Sequence, residues 1–335
     1  MRIGGFDLAE RVLLVAEIGN NHEGDPGRAR ELVQAAAASG VHAVKFQTFR
    51  AQGLVSSSES ARLAQLRGFE LPYEVFEELA ELARSSGLLF LSTPLDLPSA
   101  RFLEGIVDGY KIASGDNDFY PLIELVAGTD RPLVISTGVS DLAQVQRAVA
   151  TVDAVRGEDT RDSLALLHCV SSYPAAPEEL NLLAIPWLAE RFPLTIGYSD
   201  HAMGSTAALA AVALGARVVE KHFTLAGIDS DFRDHALSAT PDEMRRLVEQ
   251  IAEIDRMRGE GGKQVGSGEA ANAQLIRRSI AANADLEAGR RIEASDLTWL
   301  RPGTGLRPGE ESRLVGRTLR VPKAIGELVL ADDVE

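Results

Sequence analysis

Eight short apolar runs punctuate the first two thirds of the chain: VLLVAEIGN from Val12, HAVKFQTF from His42, LLFLSTP from Leu88, GYKIASG from Gly109, PLVISTG from Pro132, LALLHCVS from Leu164, LTIGYSD from Leu194 and RVVEKHFT from Arg217. Most are apolar at nearly every position, the pattern of parallel strands buried on both faces. Between them, stretches such as GRARELVQAAAASG, EVFEELAELARSSG, DLAQVQRAVATV and STAALAAVALGA carry apolar residues three and four apart, which predicts amphipathic helices. Asp141 and Ser205 stand where N-caps are expected, and Gly40 and Gly87 where a C-cap glycine is expected. Eight strand-then-helix units in about 250 residues predict an α/β fold, a (β/α)8 TIM barrel closed by the helix TPDEMRRLVEQIAEIDRM from Thr240.

The pattern then changes. A Gly-rich stretch, RGEGGKQVGSGE (258–269), is followed by many turn residues, short strand-like runs and little helical periodicity. This predicts a barrel domain over 1–258, a linker over 259–275 and a small β-rich domain over 276–335.

Polar residues in the apolar runs gather at their C-terminal ends, where barrels of this kind keep their active sites. The successive runs supply Glu17, Asn20, Asn21 and His22; Lys45 and Gln47; Ser92 and Thr93; Lys111, Ser114 and Asp116; Ser136 and Thr137; His168, Ser171, Ser172 and Tyr173; Ser199, Asp200 and His201; and Glu220, Lys221 and His222. Side chains alternate along a strand, so Lys45 with Gln47, Ser199 with His201 and Glu220 with His222 each share a face. His201 and His222 end consecutive strands at the same mouth. Two imidazoles near the carboxylates Glu17, Glu220 and Asp234 suit a divalent cation with positions left open for substrate. Lys45 and Lys111 lie in apolar strands, where a lysine is costly unless paired. They either form ion pairs with Glu17 or Glu220, or hold an anionic substrate beside the hydroxyls of Thr93, Ser136 and Ser199. A Schiff-base role for a lysine is a third option.

Composition narrows the field. A net charge of −15 argues against nonspecific binding to nucleic acid or anionic membranes. No apolar run approaches the ~20 residues that a membrane-spanning helix needs. The N-terminus lacks the basic start and cleavage site of a signal peptide, and Cys169 is the only cysteine, so cytoplasm is the expected compartment.

The motifs AEIGNNHEGD (16–25), AVKFQTF (43–49), STP (92–94), YKIASGD (110–116), ISTG (135–138), HCVSSYP (168–174), GYSDH (197–201), EKHFTL (220–225) and RPGTG (301–305), in this order, resemble the sialic acid synthase family. These are phosphoenolpyruvate-dependent nonulosonate synthases, and the resemblance covers nearly the whole chain. It implies a TIM barrel followed by a small antifreeze-like (SAF) domain. It implies condensation of phosphoenolpyruvate with an open-chain, N-acetylated mannosamine-type sugar, giving a nine-carbon 2-keto sugar acid and phosphate. His201 and His222 would hold the metal, Mn2+ first with Mg2+ or Co2+ as alternatives. Glu17 would manage a proton or stabilise positive charge, with Lys45, Lys111 and the two histidines completing the catalytic set. Phosphoenolpyruvate would meet Lys45, Thr93, Lys111, Ser114, Ser136, Ser171 and Ser199. The sugar would meet Glu17, Gln47, Tyr173, Asp234 and Arg301, the last reaching across a domain-swapped homodimer into the partner's barrel.

Four departures from neuraminate-type members touch the sugar side. Ser171 replaces a substrate-contacting asparagine, Asp116 replaces a glutamate, Phe232-Arg233 replaces Gly-Pro before Asp234, and the segment after the second strand is shorter. The VSSYP form looks more like members that make bacterial di-amino nonulosonates or spore-coat sugars. The competing readings are another metal-dependent barrel enzyme, an aldolase or sugar isomerase, and a non-catalytic glycan-binding protein.

Overall fold

The computed structural model describes residues 1–228, 230–259 and 261–335. Glu260, within the stretch expected as a linker, lies outside the described residues. The chain divides into two compact units, with the break after Gly259.

The first unit opens with a hairpin of two short strands, β1 (Arg2–Ile3) and β2 (Phe6–Asp7). Eight parallel strands follow: β3 (Leu13–Gly19), β4 (Ala43–Thr48), β5 (Leu89–Pro94), β6 (Gly109–Ile112), β7 (Leu133–Ser136), β8 (Leu164–Cys169), β9 (Thr195–Asp200) and β10 (Val218–His222). Each pairs with its neighbour in sequence, and β10 pairs with β3 to close the barrel. The helices between them start and stop largely where local chemistry dictates. Asp25 accepts from the amides of Gly27 and Arg28 at the start of Pro26–Ser39, and Gly40 ends that helix in the left-handed region at φ 81°. Asp141 and Gln144 form a capping box on Leu142–Arg156. Ser205 does not act as a side-chain cap: its backbone is already near-helical (φ −113°, ψ −10°), unlike the extended backbone of an N-cap.

The outward-facing strand residues, among them Leu14, Val44, Phe90, Ile112, Ile135 and Leu166, pack against the helix layer in one large core. The inward-facing residues change character along the barrel axis. At the N-terminal end Leu13, Val15, Ala43, Leu91, Val134, Ala165, Leu167 and Val218 form a second apolar cluster, together with Ile3, Phe6 and Leu8 of the hairpin region. The hairpin therefore caps that end of the barrel. Further along the same strands the inward positions become Glu17, Lys45, Gln47, Thr93, Lys111, Ser136, Ser199, Glu220 and His222.

The second unit is built around Ile280, Leu286, Ile292, Leu297, Leu314, Leu319 and Val329, with one antiparallel pair, β11 (Ser279–Ala282) and β12 (Leu297–Leu300). Isolated bridges and turns make up most of the rest. Part of the expected linker is helical instead: Ser267–Ile276 forms a ten-residue helix, helped by its alanines and by Glu269, which accepts from the Gly266 amide. Among the described residues no helix is long and apolar enough to cross a membrane.

Candidate active site

The C-terminal ends of the barrel strands line a concave cavity, the kind of site that takes small molecules. Its centre is a buried array of charges. Lys45 Nζ lies 2.8 Å from Glu17 Oε2, 3.5 Å from Glu220 Oε1 and 3.1 Å from Thr93 Oγ1. Lys111 Nζ lies 3.4 Å from Glu220 Oε2, and Ser199 Oγ donates to Glu220 over 3.3 Å. Glu17 is aimed by an irregularity in β3, whose register against β4 shifts between Glu17 and Gly19. Gly19 sits at φ 53°, and a Cβ there would stand 3.0 Å from Glu17 Oε1, so glycine suits both the turn and the close approach.

The two carboxylates are pushed in opposite directions. Burial raises Glu17 above its ordinary value, against the pull of Lys45. Burial opposes charge on Glu220 too, but Lys111 and Lys45 outweigh it and hold that carboxyl down to about 2. Burial lowers Lys111, with Glu220 offsetting part of the effect, whereas Glu17 and Glu220 outweigh the same burial at Lys45 and raise it.

A hydroxyl cluster forms one wall. Ser114 Oγ accepts from the Gly138 amide over 3.1 Å. Among the described residues Ser136 Oγ and Ser171 Oγ are buried without a hydrogen-bond partner, which is costly unless something else fills the role. Gly138 brings the loop close: a Cβ there would fall 2.4 Å from Ser171 Oγ and 2.6 Å from Ser114 Oγ. Such a set of donors beside buried lysines can bind an anion.

The histidines meet at another wall, with ring centroids 5.5 Å apart. His201 Nδ1 lies 2.7 Å from the Val170 carbonyl, which fits an Nδ1–H donor and leaves Nε2 as the basic nitrogen. Among the described residues His222 Nδ1 is buried without a partner, and burial followed by the charges of His201 and Lys45 lowers this imidazole well below its ordinary value. Two adjacent imidazoles, one with an orphaned nitrogen, fit a divalent cation. Among the described residues no group of three or more His, Cys, Asp or Glu forms a complete protein cage, so water or substrate would fill the remaining positions.

Beside the histidines the cavity is lined by aromatics and an arginine. The Tyr173 ring lies 4.2 Å from His201, with the Arg233 guanidinium 4.7 Å above it. Arg233 also pairs with Asp234 at 3.2 Å. Phe69, from the helix Ser60–Phe69, packs against Phe232 with centroids 4.9 Å apart.

Thirteen sequence-singled residues thus share one cavity: Glu17, Lys45, Gln47, Thr93, Lys111, Ser114, Ser136, Tyr173, Ser199, His201, Glu220, His222 and Asp234. Ser171 lies behind Gly138 at the edge of the hydroxyl cluster. Arg301 belongs to the second unit. Other polar strand-end residues face elsewhere: Ser92 bonds to Thr48 and the Phe46 carbonyl, and His168 to the Leu180 carbonyl. Asn20, Arg62, Phe69 and Cys169 line the cavity without having been assigned a role. Asn20 donates to Gln47 over 2.8 Å. Phe69 and Arg62 come from a surface segment whose sequence carries no chemical signature.

The model of the NeuB family matches residues 32–263, and that of the SAF domain matches residues 277–335. The chain is 40% identical over 338 residues to the N,N'-diacetyllegionaminic acid synthase of Legionella pneumophila, covering 96% of this chain and 94% of that protein. It is 29% identical to the pseudaminic acid synthase of Campylobacter jejuni over the full length of both. The crystal structure of an N-acetylneuraminic acid synthetase from Leptospira borgpetersenii superposes with a TM-score of 0.76 at 30% identity, covering 81% of this chain and 94% of that one.

Proposed function

The chain belongs to the NeuB family, and on that premise we propose that it is a nonulosonic acid synthase. It condenses phosphoenolpyruvate with an N-acetylated, mannosamine-type sugar to give a nine-carbon 2-keto sugar acid and phosphate. The observation that carries this reading is the buried Glu17–Lys45–Glu220–Lys111 array facing the histidine pair in one cavity. Lys45, Lys111, Thr93 and Ser199 take the negative charge of phosphoenolpyruvate, and the unpartnered hydroxyls of Ser136 and Ser171, with Ser114, add donors. A divalent cation on His201 and His222, Mn2+ first and Mg2+ or Co2+ otherwise, would supply Lewis acidity toward the sugar aldehyde.

Carbon 3 of phosphoenolpyruvate bonds to the aldehyde carbon, water adds at carbon 2, and the bond from carbon 2 to the phosphate oxygen breaks. The added water loses both protons as the carbonyl at carbon 2 forms: one balances the proton gained by the aldehyde oxygen, and the other leaves with the phosphate. Glu17, raised by burial, is the group that moves protons or steadies positive charge at carbon 2. Gln47, Tyr173 and Asp234 orient the sugar. Arg301, in the RPGTG turn, completes the sugar site across a domain-swapped homodimer. Phosphoenolpyruvate comes from central metabolism, which puts the work in the cytoplasm.

The test is inorganic phosphate release from phosphoenolpyruvate with Mn2+, across N-acetylmannosamine, its 6-phosphate and di-N-acetylated trideoxyhexoses. Release with one sugar, lost on chelation, is the expected result. A sugar turned over without phosphoenolpyruvate would favour an aldolase or isomerase. Sugar binding without turnover would favour a glycan-binding protein.

A further inference from the structure

The register of β9 against β10 leaves the two histidines without a direct tie. The ladder pairs Val219 with Tyr198, Glu220 with Ser199 and Lys221 with Asp200, and no later rung joins these strands. His222 pairs on its other side with Glu17 of β3, and the His201 carbonyl accepts from Ala175. The backbone ladder between these strands thus stops one residue short of both imidazoles.

A buried ion pair lies on the helix-facing side of the strands, next to both histidines. Lys221 Nζ lies 3.0 Å from Asp200 Oδ2 and donates to the Ala202 carbonyl over 2.6 Å. The other oxygen of Asp200 accepts from the Ala202 amide at 2.9 Å and from the Tyr198 hydroxyl at 3.3 Å. The lysine and aspartate side chains are 2% and 0% exposed. Thus the residue before His222 grips the residues on both sides of His201. Stability is a weak reason for such a pair, because an apolar pair of similar shape is often as stable or more so. Fixing a geometry is a better one, and the groups behind metal-binding histidines commonly set affinity. We propose that Asp200 and Lys221, steadied by Tyr198, are positioning residues that set the spacing of His201 and His222 and so their affinity for a divalent cation. This rests on reading the two histidines as metal ligands.

The test is Mn2+ binding to metal-stripped full-length protein, followed by electron paramagnetic resonance of the free ion, with thermal unfolding measured alongside. Lys221→Met and the charge-neutral double variant Asp200→Asn/Lys221→Met should weaken binding by about ten- to a hundredfold. Tyr198→Phe should weaken it by about two- to threefold, since it removes one long hydrogen bond. The double variant should unfold near the wild-type temperature, which separates positioning from general loss of structure, and it decides the matter if the single lysine variant does not fold. Wild-type affinity in a folded double variant would overturn the positioning role while leaving the histidine pair intact. Wild-type protein that takes up no divalent cation would sink the ligand reading, and the positioning role with it.

Discussion

The two ends of the barrel interior are made by the same strands and the same alternation, yet they have opposite chemistry. At the hairpin end, Leu13, Val15, Leu91, Val134, Leu167 and Val218 close on one another and on Phe6 and Leu8 without a polar atom in their side chains. Two residues further along, the inward positions are Glu17, Thr93, Ser136, Cys169 and Glu220. A step of two keeps the face and changes the residue class. The apolar end gains stability from burial. The charged end spends some of it, because lysines, glutamates and histidines are held buried beside hydroxyls that have no partner among the described residues. Substitutions at the two ends should therefore fail in different ways.

His222→Ala is the sharpest break at the charged end. Activity should fall about a thousandfold or more, while the melting temperature holds or rises, because a desolvated imidazole beside Lys45 and His201 is removed. Steady-state kinetics and calorimetry on one preparation check both halves. Leu167→Ala is its counterpart: a fully buried leucine is lost, costing about 2–5 kcal/mol in urea titration. Its kcat at a permissive temperature should stay within about threefold of wild type, because the leucine touches none of the reacting groups.

Two further variants sharpen the division within the charged end. Gly138→Ala would drive a methyl into Ser171 and Ser114, so the KM for phosphoenolpyruvate should rise about tenfold or more with the sugar KM little changed. Equal rises in both would remove the hydroxyl cluster from the anion site. Arg301→Ala should raise the sugar KM by several-fold more than the phosphoenolpyruvate KM, and the same change on both substrates would argue against a sugar contact.

The smallest effect is a pH dependence at the hairpin end. His42 packs against Phe6 with ring centroids 4.8 Å apart and accepts from the Leu14 amide, and burial followed by the nearby charge of Arg11 lowers its pKa from 6.5 to about 4. Between those values the unfolded chain binds a proton that the fold refuses. This contribution to stability is therefore present above the unfolded value and lost as the pH falls toward the folded one. Urea titrations at pH 7 and 5 should differ by about 1–2 kcal/mol on this account, and His42→Gln should flatten that part of the difference.

The sequence made the barrel legible because eight apolar runs and intervening helical periods are local signals. The site was legible because polar residues interrupt apolar strands only at one end. What escaped depends on long-range pairing or on elements too short to carry a period. The hairpin strands have two residues each, so Ile3 and Phe6 show no alternation. Lys221 and Asp200 were visible as polar residues, but their tie depends on strand register, which no local pattern encodes. Phe69 meets Phe232 across 163 positions, from a helix that belongs to no motif. Ser205 looked like a cap and is not one, because residue type alone does not set its backbone angles.

The most direct test of the division between the two ends is sugar-dependent phosphate release by His222→Ala and by Leu167→Ala, each normalised to its folded fraction. The account predicts that release collapses in the folded histidine variant and persists in the folded fraction of the leucine variant. Collapse in both, or in neither, would contradict it.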